Sequence, residues 1–264
     1  MKNEILFKGR KIFYQVTGKG PAIVLLHGFM ESSAMWRNYV RKLSESFKVI
    51  TIDLPGHGQS DVLAESHSME LMAEAVSSVL TGAGIKNCLL VGHSMGGYVA
   101  LAFAEKHPRK VKALVLFHSH AGADIPEVKA NRDRTISIVQ KDRHGYINTF
   151  IPGHFDPENV QKFQSEIKVL QQIAEQTPKE GIIAALEGMK NRPDRQHVLI
   201  QLKVPVLFII GKNDSRVPMQ VVLPQTALPE HSEMLLMDHV GHMGFIEAPG
   251  KTFAAVKGFA ERAL

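Results

Sequence analysis

The opening residues alternate apolar and polar positions. "EILFKG" and "KIFYQVTG", divided at Gly9 and Arg10, predict an antiparallel hairpin. The alternation then stops. "PAIVLLHG" is a continuous apolar run ending in a turn signal, the pattern of a strand over 22–27 buried on both faces. "SAMWRNYVRKLSES" changes to helical spacing, with Met35, Trp36, Tyr39, Val40 and Leu43 on one face. "FKVITIDLPG" is a second buried strand, stopped by Pro55 and Gly56, and "SMELMAEAVSSVLTGAG" is an amphipathic helix closing in glycines. "LLVGHSMGGYVALAFA" joins a strand over 88–92 to a helix over 96–106, and "VKALVLFHS" is a fourth buried strand.

From about 121 to 200 the chain is mostly polar, helical in spacing and without a buried strand. A strand in "VPVLFIIG", a helix near "MQVVLPQTAL", a strand in "SEMLLMD" and a final helix in "PGKTFAAVKGFAERAL" follow. Alternating strands and helices with right-handed crossovers predict an α/β fold. Its mostly parallel central sheet has about eight strands and helices on both faces. Residues 1–120 and 201–264 would form the core domain, with 121–200 a helical cap inserted between two sheet strands. No internal repeat or low-complexity tract interrupts this plan.

Composition changes the picture little. The longest apolar runs are too short to span a bilayer, and the N-terminus lacks the apolar stretch of a signal peptide. Cys88 is the single cysteine, so no intrachain disulfide is possible; a small buried residue and a cytoplasmic setting are expected. The net charge of +5 comes without any basic run interleaved with aromatics. Neither nucleic acid nor a membrane is therefore expected as a partner.

Chemistry concentrates at the strand ends. In "GHSMGG" Ser94 stands between Gly92 and Gly96 at a strand-to-helix turn, the G-x-S-x-G arrangement that lifts a nucleophilic hydroxyl clear of a sheet. Such a serine needs a base and an orienting acid. "GKNDSRVP" places Asp214 just after the strand over 204–210, and "DHVGHMGFIEAP" places His242 in a glycine-flanked loop after the last strand. The order serine, acid, histidine fits this type of elbow. Asp124, after the preceding strand, is a rival acid. The N–H groups of Met95, after the nucleophile, and Phe29, in "LLHGFMES", are the expected oxyanion donors. His27 is expected to hold that loop by hydrogen bonding. In "DLPGHGQSD", Ser60 and Asp61 are read as starting a helical turn. That segment has no Lys-Ser/Thr pair for a phosphate, and neither "HSH" nor "DHVGH" has the spacing of a helical zinc motif. No metal or cofactor is expected.

Together, "HGF", "DLPGHGQS", "GHSMGG", "GKND" and "VGHMGFIEAP" resemble the α/β-hydrolase fold family over essentially the whole chain except the cap. "HSHAGADIPEVKANRDR" is similar, more loosely, to the small carboxylesterase and enol-lactonase branch. The resemblance implies a Ser94–Asp214–His242 triad acting on a small or medium, largely apolar ester or lactone. Gly28, His93, His120, Phe150 and Val217 are expected at the substrate, with His120 preferred over His118 as the histidine reaching the pocket. The same framework also hosts carbon–carbon bond hydrolases, cofactor-free perhydrolases or haloperoxidases, and ligand receptors with little turnover.

Overall fold

The computed structural model describes residues 2–264. Strands β1 (Lys2–Phe7) and β2 (Arg10–Thr17) form the predicted hairpin. Its turn is Lys8–Gly9, both at positive φ (51° and 74°), while Arg10 pairs with Phe7. Two left-handed residues match the twist of the flanking strands, which moves the turn one residue earlier than expected.

The remaining strands are β3 (Ala22–Leu26), β4 (Lys48–Ile52), β5 (Cys88–His93), β6 (Val111–Phe117), β7 (Val206–Gly211) and β8 (Ser232–Met237). Among the described residues they make one eight-stranded sheet in the order β1-β2-β4-β3-β5-β6-β7-β8. Pairing is parallel from β4 to β8, and β2 joins β4 antiparallel. β3, β5 and β7 are buried at every position, which explains their unbroken apolar runs: helices cover both faces.

The core helices are α1 (Arg37–Leu43), α2 (Met69–Gly82) and α3 (Met95–Lys106). The Ser68 hydroxyl caps α2 by accepting from the Leu71 N–H. Between β6 and β7 come α4 (Pro126–Lys141), α5 (Arg143–Phe150), α6 (Gln164–Glu175), α7 (Lys179–Lys190) and α8 (Gln196–Gln201), with no strand among the described residues there. Small α9 (Met219–Val222) and α10 (Gly244–Glu247) precede the closing α11 (Pro249–Ala263). None of the described helices is long and apolar enough to cross a membrane.

The helical block is pinned to the core through α7. The His67 N–H donates to the Ala184 carbonyl at 2.8 Å. Gly181 and Gly188 lie so close to the backbone of Gly56 and His67 that a Cβ at either would collide with it. Ser60 and Asp61 do not start a helical turn, contrary to expectation. The Ser60 hydroxyl accepts from the Phe13 N–H and donates to the Asp53 carbonyl, and the Asp61 carboxylate accepts from the Lys11 N–H. Both tie the 53–61 loop to β2. Cys88 is fully buried, and burial pushes its thiol up to about 12.

Candidate active site

Parallel register brings the carboxyl ends of β3, β5, β6 and β7 to one edge, where ligands of open α/β sheets gather. The loops leaving that edge carry Phe29, Ser94, His118 and Asp214, and the loop after β8 brings His242.

Ser94 has φ 49° and ψ −116°, a conformation that costs a side-chain-bearing residue roughly 1–3 kcal/mol. The surroundings impose it. Its N–H donates to the Phe117 carbonyl at 2.9 Å, and its carbonyl accepts from the Ser119 hydroxyl at 2.8 Å. A Cβ on Gly92 would lie 2.5 Å from the Gly97 nitrogen, and one on Gly96 would lie 2.5 Å from the Leu26 carbonyl oxygen. The elbow therefore excludes any side chain at either position.

His242 Nδ1 donates to Asp214 Oδ2 at 2.8 Å, and His118 Nδ1 donates to the same oxygen at 3.0 Å. Asp214 Oδ1 accepts from the N–H groups of Arg216 and Val217 at 2.8 and 2.9 Å. Burial works against a charge on Asp214. His242 and His118 outweigh it and hold the carboxyl far below the usual carboxylate range. Burial keeps His118 neutral, its pKa lowered to about 4 despite the carboxylate beside it. His118, Asp214 and His242 also form a group whose ligand atoms lie within 4.8 Å of one another, the kind of cluster that can hold an ion. Hydrogen bonds of 2.8 and 3.0 Å through both Nδ1 atoms already account for it.

Asp124 lies in a different environment. Its carboxylate is ion-paired with Arg132 at 2.5 Å and with Arg192 at 2.6 Å. Asp214, not Asp124, is the acid bonded to His242.

The loop bearing Phe29 is held as expected by His27. The Leu54 N–H donates to His27 Nε2 at 2.9 Å, which leaves the ring proton on Nδ1 to donate to the Gly28 carbonyl at 2.7 Å. The Met95 N–H opens α3, where helix N–H groups lack intrahelical acceptors. Among the described turns and loops, neither the Phe29 nor the Met95 N–H donates to a backbone carbonyl.

Ser94 and His242 line one cavity of about 260 Å³. Phe29 and Glu31 border it from the core, Arg132, Tyr146 and Phe150 from the helical block, and Arg216 and Val217 from the loop after β7. Phe150 and Val217 thus stand where substrate contacts were expected. Gly28, His93 and His120 do not. The Gly28 N–H donates to the Glu31 carboxylate at 2.6 Å, and His93 is fully buried behind the site. His120 turns toward Tyr98 and Arg192, at 5.4 Å between rings and 3.3 Å to the guanidinium. Glu31, Arg132, His154 and Arg216 were not singled out from the sequence. Arg216 had a readable signal, since it follows the acid by two residues. Arg132 had none beyond its place on a helix of mixed charge.

Residues 21–249 match the alpha/beta hydrolase fold family. The chain belongs to that family. This hydrolase is 29% identical to a thermophilic esterase from Thermogutta terrifontis, solved with malate bound. The two superpose with a TM-score of 0.93 over 100% of this chain and 99% of that one. It is 29% identical over 250 residues to a 2-hydroxy-6-oxononadienedioate/2-hydroxy-6-oxononatrienedioate hydrolase of Burkholderia vietnamiensis, covering 88% of this chain and 84% of the relative. A pimeloyl-[acyl-carrier protein] methyl ester esterase of Pseudoalteromonas atlantica is 26% identical, covering 88% of this chain and 91% of the relative.

Proposed function

We propose that this hydrolase cleaves a small carboxylic ester or lactone through an acyl-enzyme on Ser94. One observation carries the reading: a serine on a strained elbow and a histidine bonded to a buried aspartate line the same 260 Å³ cavity. The volume lies just under the usual range for drug-sized ligands, which favours a small substrate.

In this reading the Ser94 hydroxyl attacks the substrate carbonyl while His242 takes its proton. Asp214 keeps the His242 proton on Nδ1, so that Nε2 is the base, and stabilises the imidazolium that forms. The N–H groups of Phe29 and Met95 bind the oxyanion. His242 then gives its proton to the departing alcohol and activates water, which releases the acid. Residues 121–200 serve as a cap over the core of 1–120 and 201–264. Arg132, Tyr146, Phe150 and Met189 in the cavity wall support that role. The esterase and methyl ester esterase among the relatives support the ester bond as the one cleaved.

The test is a panel of p-nitrophenyl esters and lactones, with the acyl-enzyme trapped and weighed by mass spectrometry. The reading expects an acyl adduct on the peptide holding Ser94 and turnover that disappears in Ser94→Ala. Equal turnover in that variant would end it.

A further inference from the structure

The cavity wall carries more positive charge than its own carboxylates neutralise. Arg216, two residues beyond Asp214, lays its guanidinium over the Phe150 ring at 4.6 Å. Among the described residues no carboxylate pairs with it. Asp214, the nearby acid, has both oxygens engaged, by two histidines and by two backbone N–H groups. Across the cavity, Arg132 shares the single carboxylate of Asp124 with Arg192, whose guanidinium is buried over Tyr98 at 3.9 Å. Glu31, the one acidic side chain in the lining, is ion-paired with His93.

We propose that Arg216, with Arg132 facing the same cavity, selects esters that carry a second, anionic group, a carboxylate. The proposal rests on the reading of Ser94 as nucleophile. A planar guanidinium presents paired N–H donors that match a carboxylate in bidentate geometry. The Phe150 ring against the guanidinium narrows its range of positions, so less freedom is lost on binding. An uncharged ester of equal length offers that fork of donors no anionic acceptor. On this proposal the substrate is a small ester with one charged end, an alternative to the largely apolar one expected from the sequence.

The experiment compares matched pairs on wild type, Arg216→Met and Arg216→Lys. The p-nitrophenyl hemiester of glutaric acid against p-nitrophenyl valerate places the anion on the acyl side. Acetoxybenzoate against phenyl acetate places it on the alcohol side. Wild type should favour the anionic member of at least one pair by about 10- to 100-fold in kcat/KM, the scale of a hydrogen bond to a charged group. Arg216→Met should bring that ratio close to one, mainly through KM for the charged ester, and Arg216→Lys should restore part of it. Cleavage of neutral esters with no anionic preference in either pair, or a preference that persists in Arg216→Met, overturns the proposal and leaves the Ser94 reading standing. Failure of every ester overturns that reading and this proposal with it.

Discussion

His93 donates through Nδ1 to the Glu31 carboxylate at 3.0 Å, and both residues are closed off from solvent. Its Nε2 donates to the His242 carbonyl at 3.0 Å. Both ring nitrogens face acceptors, so the imidazole is the charged form. Burial opposes that charge, but Glu31 outweighs it and raises the His93 pKa, while His93 in turn lowers that of Glu31. Because Glu31 also accepts from the Gly28 N–H, the pair ties the loop of Phe29 to the loop of His242.

This coupling predicts a stability profile with two limbs. The raised His93 pKa contributes stability that is complete below the unfolded value and lost as pH rises through the folded one. The lowered Glu31 pKa contributes stability that is present above its unfolded value and lost as pH falls through the folded one. Glu31→Gln should cost about 3 kcal/mol near neutral pH, since it leaves a buried charge site without its partner. It should also flatten the alkaline limb. Urea denaturation at a series of pH values measures both, and a variant curve parallel to wild type contradicts the ion pair.

The two candidate acids should separate in kinetics. Asp214→Asn removes the group that orients His242 and should lower kcat roughly 10³–10⁴-fold. Asp124→Asn strips Arg132 and Arg192 of their shared carboxylate and should appear chiefly as lost thermal stability. His118→Asn keeps a residue type that tolerates the φ of 47° there, and removes one donor to Asp214. About a tenfold loss in kcat is expected from that bond to a charged group. Steady-state kinetics and thermal melts on the three variants check this ordering.

Several histidines are held neutral by burial. The pKa of His57 and His120 is lowered to about 3, and that of His67 and His118 to about 4. The unfolded chain takes up protons at these positions from pH 6.5 downward, and the folded chain resists. Stability should therefore fall between pH 6.5 and 4, each histidine contributing up to about 1.4 kcal/mol per pH unit. Circular dichroism with urea titration across that range is the measurement. A flat profile would mean these rings are solvated or paired in the folded state.

The sheet was legible because its buried strands are unbroken apolar runs, and Ser94, Asp214 and His242 because each stands just past a strand end in a glycine-marked turn. Contacts between distant segments were not. Glu31 and His93 are 62 residues apart, and nothing near His93 marks it as charged. His118 and His120 flank one residue at the end of β6, yet one ring faces Asp214 and the other Arg192. Backbone direction decides that, and residue type does not reveal it. The charges of the helical block balance along the chain, but Lys190 pairs with Asp133, which is largely exposed, while Arg132 faces the cavity. A sum over the segment conceals that asymmetry.

The most direct measurement of the central claim is the labelling rate with a fluorophosphonate, which reacts with a serine only when a neighbouring base activates it. Folded wild-type protein should be labelled rapidly at one site, the peptide containing Ser94, with no labelling in Ser94→Ala and labelling slowed by orders of magnitude in Asp214→Asn. Labelling of Ser94→Ala at the wild-type rate, or a folded wild type that stays unlabelled, would contradict it.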